Sequence, residues 1–491
     1  MKIGIIGAGI AGLACAIRLS VKGHNIEVFE SNNYPGGKLS EFKLNGFRFD
    51  AGPSLFTMPQ YFEELFSMAG RQFSDYCTYE KLSITTQYFY PDGSAFKAYA
   101  DQKLFLQEAT KCWEIEAKKI ETVLKNSANI YALTAEVFME NSLHKWPNYK
   151  LKLLAKAGIG FRKLGLFSTM HSYNSKKLNN KKAEQYFDRF ATYNGSNPYL
   201  APATLNIIPH LEHGIGAFFP HGGMISLTNA LFKLAKELGV QFRFEEKVEE
   251  IIITKNKIKG LRTSKNDYSF DNIVSNMDVF YTYNLLMAKE KKPIKILKQE
   301  RSSSALIFYW GINKVFDNLQ LHNIFFSDNY EGEFNFLFKE QKIGNDPTIY
   351  LNITSKYEKK DAPEGGENWF VMVNAPKNDG QNWDEMIKEC RKNILLKLEK
   401  MLNSPIEPFI VSESILDPRS IESKTSSYKG ALYGSSSNSK FSAFMRHKNF
   451  SSTIKNLYFC GGSVHPGGGI PLCLQSAKIV AEMIPANNTK R

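Results

Sequence analysis

Three glycines near the start of the chain have the spacing of an anion-binding loop. They are Gly7, Gly9 and Gly12, in the run Gly-Ala-Gly-Ile-Ala-Gly. The first glycine of such a motif allows a tight turn, the second lets the backbone approach a pyrophosphate, and the third lets the following helix pack closely. Backbone N–H groups at the start of that helix, where Ile10 and Ala11 lie, favour a bound anion. The spacing predicts a dinucleotide-binding site.

The elements around these glycines are those that such a site requires. Residues 3–6 form an uninterrupted apolar run, which is typical of a buried parallel strand. A second strand is predicted at 25–30 and ends in Glu30, eighteen positions after Gly12. At about 20 residues' separation a carboxylate binds the ribose of a dinucleotide, and its charge would repel a 2′-phosphate. The order of elements predicts a Rossmann-like unit, without distinguishing NAD from FAD.

Two further loops can complete the same site. A paired glycine with a basic residue follows the second predicted strand, and a Gly-Pro-Ser turn comes shortly afterwards. The paired glycine and the cation can wrap the far side of a pyrophosphate. The alternative is two ordinary turns, because Gly-Gly and Gly-Pro commonly interrupt regular structure. The candidate cofactor-binding residues in these loops are Gly36, Gly37, Lys38, Gly52, Pro53 and Ser54.

The C-terminal part of the chain carries another glycine-rich turn. Residues 456–460 are predicted to form a strand, and a helix is predicted at 472–484. Pro471 falls near the first turn of this helix, a position that proline tolerates. The candidate cofactor-binding residues here are Gly462, Gly467, Gly468, Gly469, Ile470 and Pro471.

In this order, the N-terminal motifs resemble the FAD-binding start of the flavin amine oxidase and carotenoid desaturase superfamily. The C-terminal turn and helix resemble the signature of the bacterial phytoene desaturase-type carotenoid oxidoreductases, and the resemblance spans essentially the whole chain. It implies FAD as the cofactor, and it implies that the predicted strand beginning at Val248 closes over the adenine. The dipole of the C-terminal helix would then stabilise negative charge on the reduced flavin.

The stretches 190–199 and 204–213 are more similar to the hydroxycarotenoid 3,4-desaturases of this family than to its phytoene desaturases. This resemblance implies a carotenoid substrate whose end carries a tertiary hydroxyl. A site for such an end needs a few hydrogen-bonding groups in an apolar pocket. The alternative is that these side chains satisfy loop backbone, as Asn and Ser commonly do. The substrate-binding candidates are Asn194, Asn197, His210 and His213.

The resemblance also implies a reaction in which two hydrogens leave adjacent saturated carbons. A hydride acceptor is required and no side chain can serve, so the flavin takes that part. The second hydrogen leaves as a proton, and a conjugated cation would lose it easily, so we expect no essential side-chain acid or base. Some relatives carry an Arg and an Asp near the flavin, and Arg162 is the one loose match to that pair.

Two other functions are compatible with the same motifs. One is a phytoene or other acyclic carotene desaturase or isomerase from the same family. The other is a carotenoid carrier that binds a flavin without turnover. The sequence leaves open which oxidant re-oxidises the flavin and which oligomeric state the protein has.

Length and cysteine content bound the architecture and the compartment. A chain of 491 residues exceeds the size of one hydrophobic core, so two or more domains are expected. Six cysteines without a Cys-x-x-Cys pair predict no metal site and a reduced, cytoplasmic environment. No apolar run is long enough for a transmembrane helix, and the N-terminus does not have the pattern of a signal peptide.

A basic segment indicates contact with a membrane surface. The net charge is +13, and residues 141–183 contain ten lysines and arginines but no acidic residue. Large apolar residues lie between these cations, a pattern that suits a helix in an anionic membrane interface. The alternative is an amphipathic helix packed on the core, and no nucleic-acid-binding motif is present. We expect peripheral association with the inner face of the cell membrane.

These observations predict an α/β fold of the flavin amine oxidase and carotenoid desaturase type. A discontinuous, Rossmann-like FAD-binding domain would comprise residues 1–80, 215–286 and 440–491. A substrate domain of α+β type, with a sheet and helices, would be inserted as residues 81–214 and 287–439.

Overall fold

The computed structural model describes residues 1–144, 168–439 and 445–487. Its strands are, in chain order, β1 (Lys2–Ile6), β2 (Asn25–Phe29), β3 (Glu41–Leu44), β4 (Phe47–Asp50), β5 (Phe56–Thr57), β6 (Tyr79–Lys81), β7 (Ile84–Phe89), β8 (Ala95–Tyr99), β9 (Ala217–Pro220), β10 (Gln241–Arg243), β11 (Val248–Thr254), β12 (Lys257–Thr263), β13 (Asp267–Ser269), β14 (Asn272–Ser275), β15 (Ser304–Ile312), β16 (His322–Phe325), β17 (Ile349–Ile353), β18 (Glu367–Ala375), β19 (Ile410–Leu416) and β20 (Leu457–Phe459).

The longer helices are α1 (Ile10–Val21), α2 (Gln60–Met68), α3 (Gln102–Trp113), α4 (Ala117–Phe138), α5 (Met170–Leu178), α6 (Lys181–Asp188), α7 (Ile225–Glu237), α8 (Tyr330–Asn335), α9 (Trp383–Leu402), α10 (Pro418–Thr425) and α11 (Ile470–Met483). Between α6 and β9 the chain forms four short helical turns, Arg189–Asn194, Ala203–Ile207, Ile208–His210 and Leu211–Ile215.

A five-stranded parallel sheet, in the order β10-β2-β1-β14-β20, carries the glycine motif. Strand β1 lies between β2 and β14, with Ile5 opposite Val28 and Val274. One face of these strands is covered by α1, α7 and α11, which share a single apolar core with them. The other face packs against the sheet β11-β12-β13 through Ile6 and Phe29. Because both of its faces are buried, β1 is apolar throughout after Lys2. The parallel pairing of β1 with β2 and β14 confirms the predicted Rossmann-like unit.

A seven-stranded sheet forms the second layer, in the order β19-β15-β18-β17-β16-β7-β8. Its strands are antiparallel except where β16 runs parallel to β7. Successive strand side chains point to opposite faces, so Leu306 and Phe308 pack in the core beneath α9. Ile307 and Tyr309 point to the other face of the same strand. One face of this sheet is therefore buried in a core with α9, and the other face, here called the open face, is available to line a cavity.

A helical layer covers the β7–β8 end of this sheet. Helices α3 and α6 pack on β7 and β8 through a buried aromatic cluster that includes Phe96, Trp113 and Tyr186. The Trp113 Nε1–H donates to the Tyr90 hydroxyl at 3.0 Å. The four short turns belong to this layer and pack on the open face of the sheet.

The predicted elements agree closely with the observed ones. Strands β1, β2 and β20 lie where the sequence predicted strands at 3–6, 25–30 and 456–460, and α11 begins two residues earlier than predicted, at Ile470. All six cysteines are free. No helix of the described ranges is long and apolar enough to cross a membrane. The division of the chain into two discontinuous domains stays a prediction.

Two sequence predictions concern residues that the structure does not describe. The centre of the basic segment 141–183 falls between the described ranges, and so does Arg162. Within the described ranges, no group of three His, Cys, Asp or Glu side chains is arranged to hold a metal ion.

Candidate functional site

One large cavity lies between the parallel sheet and the seven-stranded sheet. Its volume is about 1160 Å³, above the roughly 300–1,000 Å³ of typical small-molecule pockets. The glycine turns that follow β1 and β2 line one end, together with the turn before α11. The open face of the seven-stranded sheet lines the other end. The cavity therefore joins the predicted nucleotide-binding turns to a largely apolar wall.

The turn after β1 and the turn at Gly36 form one cradle. The Gly36 N–H donates to the Ala8 carbonyl at 2.8 Å, and Gly9 lies beside Gly36 in a parallel bridge. Gly36 has a φ of +105°, and a Cβ there would lie 2.3 Å from the Leu39 carbonyl oxygen. Helix α1 has no side-chain cap at its N-terminus. The N–H groups of its first turn therefore remain available to an anionic ligand such as a pyrophosphate.

The third glycine of the motif acts inside the turn. A Cβ at Gly12 would lie 2.1 Å from the Gly7 carbonyl oxygen. A side chain at this position would force the first turn of α1 away from the loop. Gly12 thus packs against the loop on the side away from the cavity. It is not among the described residues that line the cavity.

Glu30 lies at the end of β2 and lines the cavity. Its carboxylate accepts hydrogen bonds from the Ala8 N–H at 2.8 Å and from the Asn32 N–H at 2.9 Å. The Glu246 N–H donates to the Glu30 carbonyl at 3.0 Å, which brings the start of β11 to the same place. Val248, the first residue of β11, also lines the cavity. The residues expected at the ribose and at the adenine are therefore neighbours.

Lys38 brings a cation into the cavity wall. Its ammonium donates to the carbonyl oxygens of Leu432, at 3.0 Å, and Ala431, at 3.4 Å. Burial lowers the pKa of Lys38, and the nearby charge of Asp278 opposes this shift. A Cβ at Gly52 would lie 1.9 Å from the Lys38 carbonyl oxygen, so the two segments touch. A buried ammonium whose hydrogen-bond partners are neutral is suited to an anionic ligand.

The glycine turn before α11 closes the cavity from the other end of the chain. Helix α11 begins directly after Gly469, which has a φ of +112°, and its N-terminus has no side-chain cap. A Cβ at Gly468 would lie 2.7 Å from the Tyr433 Cα. This second free helix N-terminus also favours negative charge in the cavity.

Arg446 is a second buried cation beside this turn. Its guanidinium donates to the Tyr433 carbonyl at 3.1 Å and to the Asn194 Oδ1 at 3.2 Å. Burial lowers the pKa of Arg446 to about 10, and the charge of Arg301 adds to the shift. A Cβ at Gly467 would lie 3.1 Å from the Arg446 guanidinium, so the absence of a side chain leaves space for this cation. Gly467 is not among the described residues that line the cavity.

The predicted cofactor-binding residues therefore form one continuous surface, which fits a large anionic cofactor. All except Gly12 and Gly467 line the cavity. Those that do so are Gly7, Gly9, Ile10, Ala11, Glu30, Gly36, Gly37, Lys38, Gly52, Pro53, Ser54, Val248, Gly462, Gly468, Gly469, Ile470 and Pro471.

The wall opposite these turns is mainly apolar and aromatic. Strands β15, β16, β17 and β18 contribute alternate side chains from one face of the sheet, and the helical layer contributes others. The apolar and aromatic residues include Ala305, Ile307, Tyr309, Ile324, Tyr350, Phe370 and Met372 from the sheet, and Met139, Leu143, Leu205, Ile207, Ile208 and Leu211 from the helical side.

The predicted substrate residues are largely occupied elsewhere. Asn194 lines the cavity, with its Nδ2 donating to the Ser437 Oγ at 2.6 Å. The Asn197 Oδ1 accepts from the Tyr199 N–H at 2.9 Å, as the loop alternative anticipated. The His210 ring packs on the Tyr131 ring, with 4.9 Å between the ring centroids. The His213 Nε2 forms a hydrogen bond with the Tyr186 hydroxyl at 2.6 Å.

Three of these four side chains do not face the cavity, and their role in substrate binding stays a prediction. In the described part of the chain, Asn197, His210 and His213 lie outside the cavity lining. For the two histidines, the physical reason is that residues 203–215 form consecutive short turns. Such turns lack the regular period from which a sequence predicts which side chains share a face.

A buried polar cluster that the sequence did not reveal lies in the same wall. An Arg189 Nη donates to the Tyr88 hydroxyl at 2.6 Å and lies 3.5 Å from the Glu212 carboxylate. Glu212 also accepts from the Tyr193 hydroxyl at 2.7 Å and from the Thr85 Oγ1 at 3.0 Å. Burial opposes ionisation of Glu212, but the charge of Arg189 and the hydrogen bonds from Tyr193 and Thr85 together outweigh it and lower the pKa of this carboxyl. Arg189 and Tyr193 line the cavity.

Comparisons with known proteins agree with this geometry. The sequence pattern of the flavin containing amine oxidoreductases matches residues 10–485. The 1-hydroxycarotenoid 3,4-desaturase of Flavobacterium sp. (strain P99-3) is 49% identical over 484 residues, which cover 99% of each protein. The 4,4′-diaponeurosporene oxygenase of Staphylococcus haemolyticus (strain JCSC1435) is 33% identical over 496 residues, which cover 100% of this chain and 98% of the relative.

Solved structures share the fold at much lower identity. An oxidoreductase from Methanosarcina mazei superimposes with a TM-score of 0.65 at 14% identity, covering 98% of this chain and 100% of the other. Wild-type putrescine oxidase bound to putrescine superimposes with a TM-score of 0.63 at 14% identity, covering 99% of this chain and 100% of the other. Together, these matches show that the chain belongs to the flavin-containing amine oxidoreductase family, and within it to the carotenoid desaturases.

Proposed function

We propose that this protein is an FAD-dependent desaturase that introduces the 3,4 double bond at the 1-hydroxylated end of a carotenoid. The observation that carries the proposal is one continuous cavity that joins two free helix N-termini to an apolar sheet face. This cavity occurs in a chain that is 49% identical, over 99% of its length, to a 1-hydroxycarotenoid 3,4-desaturase.

FAD, in preference to a smaller flavin, is supported by the first half of the cavity. The uncapped N-terminus of α1 and the buried ammonium of Lys38 suit the two charges of a pyrophosphate. Glu30 and Val248 lie beyond this point, where a ribose and an adenine would follow. A mononucleotide would leave that end of the cavity unused.

The second half of the cavity suits a polyene. When bound, the flavin supplies the hydride acceptor that the reaction requires. Ile307 and Met372 give the substrate an apolar surface that excludes water, and Tyr309 is held by its hydroxyl, which donates to the Ala51 carbonyl at 2.9 Å. Arg446 and the N-terminus of α11 place positive charge where negative charge would develop.

We further propose that position and electrostatics suffice for catalysis, with no essential side-chain acid or base. A conjugated allylic cation on the substrate would release its proton readily once hydride has left. Arg162 remains the single loosely matched candidate for a catalytic side chain.

The substrate also supports peripheral attachment to the inner face of the cell membrane through residues 141–183. A carotenoid must pass from lipid to the cavity without crossing water, so the cavity entrance benefits from contact with the bilayer. The described end of this segment supports that role, because Lys176, Lys177 and Lys181 are exposed, whereas Lys182 pairs with Asp92 at 2.6 Å.

Turnover in anionic liposomes tests the proposal. Two acyclic carotenes of equal length, one 1-hydroxylated and one not, are supplied separately to the holoenzyme, and the products are separated and identified. We expect the hydroxylated carotene to gain one conjugated double bond at the 3,4 position. Equal turnover of phytoene, an oxygenated product like that of the staphylococcal relatives, or an isomer would contradict the proposal.

A further inference from the structure

One histidine in the cavity wall has a hydrogen-bonding group with no partner. His322 begins β16, is 2% exposed and lines the cavity. Its Nδ1 lies 2.8 Å from the Tyr350 hydroxyl and 3.1 Å from the Asn352 Nδ2. Its Nε2 is buried and has no hydrogen-bond partner among the described residues.

The neighbours of this ring determine where its proton lies. The Asn352 Nδ2 donates to the Leu321 carbonyl at 3.1 Å, which fixes the orientation of the amide. The same Nδ2 faces the His322 Nδ1, so this ring nitrogen accepts. Burial lowers the pKa of His322 to about 4, so the ring is neutral near neutral pH. A neutral ring with Nδ1 accepting carries its proton on Nε2, and the unpaired group is therefore a donor.

This donor belongs to the face of the sheet that lines the cavity. Ile324, two residues further along β16, points the same way, and so does Tyr350 opposite it on β17. The Nε of Arg189 is a second buried donor without a partner among the described residues, and its charge is close enough to influence the pKa of His322. Buried polar groups are nearly always paired, so two unpaired donors in one wall indicate a ligand that brings an acceptor.

The position of His322 relates this acceptor to the cofactor end of the cavity. The Tyr350 hydroxyl lies 2.8 Å from the His322 Nδ1 and 2.7 Å from the Ser54 Oγ. Ser54 directly follows Gly52 and Pro53, which are candidate cofactor-binding residues and line the same cavity. In a 1-hydroxylated carotenoid, a single carbon separates the hydroxyl-bearing carbon from the 3,4 bond. A donor for that hydroxyl therefore has to lie near the flavin wall.

We propose that His322 determines substrate specificity by donating its Nε2–H to the hydroxyl oxygen at the end of the carotenoid. This contact would also set which carbon–carbon bond faces the cofactor. The inference rests on the proposed function and refines it. It assigns hydroxyl recognition to β16 and β17 in place of the histidines of the turns at 203–215.

Binding of matched ligands to the holoenzyme tests this inference without requiring turnover. The dissociation constants of a 1-hydroxylated and a non-hydroxylated acyclic carotene of equal length are measured by quenching of flavin fluorescence. We expect the wild type to prefer the hydroxylated carotene about ten- to a hundred-fold, the range for one well-placed buried hydrogen bond. In His322→Leu this preference should vanish, with little change for the non-hydroxylated carotene.

Three further variants separate recognition from packing. His322→Gln keeps an N–H donor and should retain part of the preference. If His322→Leu does not fold, His322→Phe replaces it, and the preference for the hydroxylated carotene should vanish in that variant as well. Ile324→Leu, on the same face of the same strand, should change both dissociation constants alike. An equal preference in the wild type and His322→Leu, or no preference in the wild type, would overturn the inference.

Product analysis on the same samples tests the 3,4-desaturase activity separately from the role of His322. If the hydroxylated carotene is desaturated at 3,4 but the preference survives His322→Leu, the inference fails and the proposed function stands. If His322→Leu removes the preference but the wild type forms no 3,4-desaturated product, the proposed function fails and the recognition role of His322 stands.

Discussion

The Glu30 carboxylate accepts a hydrogen bond from the Ala8 N–H at 2.8 Å, which ties the end of β2 to the glycine turn after β1. The residue expected to bind a ribose thus also shapes the loop expected to bind the pyrophosphate. One carboxylate oxygen faces Ala8 and the other faces Asn32. Substitution of Glu30 should therefore affect the geometry of the cofactor site as well as one contact in it.

We expect Glu30→Ala to weaken FAD binding by about ten- to a hundred-fold. One hydrogen bond from a ribose hydroxyl to a charged acceptor is lost, which is worth about 1.5–3 kcal/mol. The dissociation constant is measured by adding FAD to the apoprotein and following flavin fluorescence. Glu27→Ala is the matched control, because Glu27 lies on the same strand but pairs with Lys2 at 3.0 Å and Arg243 at 3.2 Å. Equal effects of the two substitutions would contradict the role assigned to Glu30.

Gly52→Ala should yield protein that has lost most of its flavin. The new Cβ would lie 1.9 Å from the Lys38 carbonyl oxygen, a backbone atom that cannot turn aside. The bound flavin per protein is measured from the absorbance of cofactor released on denaturation. Gly239→Ala is the control, because Gly239 has a φ of +81° and a Cβ there would meet no other atom of the described residues within 4 Å, apart from its chain neighbours. It should lose about 1 kcal/mol of stability but retain flavin, and full flavin content in Gly52→Ala would refute the expectation.

Adjacent residues of β15 should give opposite phenotypes. Ile307→Trp places a large ring in the apolar part of the cavity and should reduce turnover at least tenfold while flavin content is unchanged. Leu306→Ala leaves a cavity in the core beneath α9 and should cost about 2–5 kcal/mol of unfolding free energy. Turnover per folded molecule should change little in Leu306→Ala. The reverse pattern would mean that the substrate lies against the other face of the sheet.

Acid should destabilise the protein through buried neutral histidines, of which His447 is one. Its Nδ1–H donates to the Lys448 carbonyl at 2.7 Å, so its Nε2 accepts from the Tyr283 hydroxyl at 3.3 Å. Burial lowers the pKa of His447 to about 4, whereas the unfolded value is about 6.5. Between these values the unfolded chain binds a proton that the folded chain does not. This contribution to stability is complete above about pH 6.5 and is lost as the pH falls, by about 1.4 kcal/mol per unit.

Urea unfolding at about pH 7.5 and about pH 5.5, on either side of the unfolded histidine value, measures this effect. The wild type should lose more unfolding free energy over this interval than His447→Gln, which has no proton to bind. Parallel losses in the two proteins would show that His447 does not remain neutral in the fold.

The cofactor turns could be predicted from sequence because their chemistry is local. Gly7, Gly9 and Gly12 owe their types to backbone conformation and crowding within one loop, which neighbouring residues reveal. The resemblance to the carotenoid desaturases was confirmed by the relatives, and the Rossmann-like fold by the parallel sheet. Glu30 was recognisable by its distance from Gly12 along the chain.

The substrate wall could not be predicted in the same way. Its contacts join distant segments, as in the pairs Arg189–Tyr88 and Ser54–Tyr350. Strand β15 is buried on both faces, so its sequence does not show which side chains face the cavity. For His210 and His213, the sequence revealed polar side chains but not that each is already paired with a tyrosine.

Anaerobic mixing of the oxidised holoenzyme with a 1-hydroxylated carotene in liposomes shows whether the bound flavin accepts hydride from the substrate. Absorbance spectra follow the flavin and the polyene together in a single turnover. We expect loss of the oxidised flavin absorbance with equimolar formation of a polyene that is longer by one conjugated double bond. Binding of the carotene with an unchanged oxidised flavin spectrum would contradict this expectation, because the protein would then be a carrier and not a desaturase.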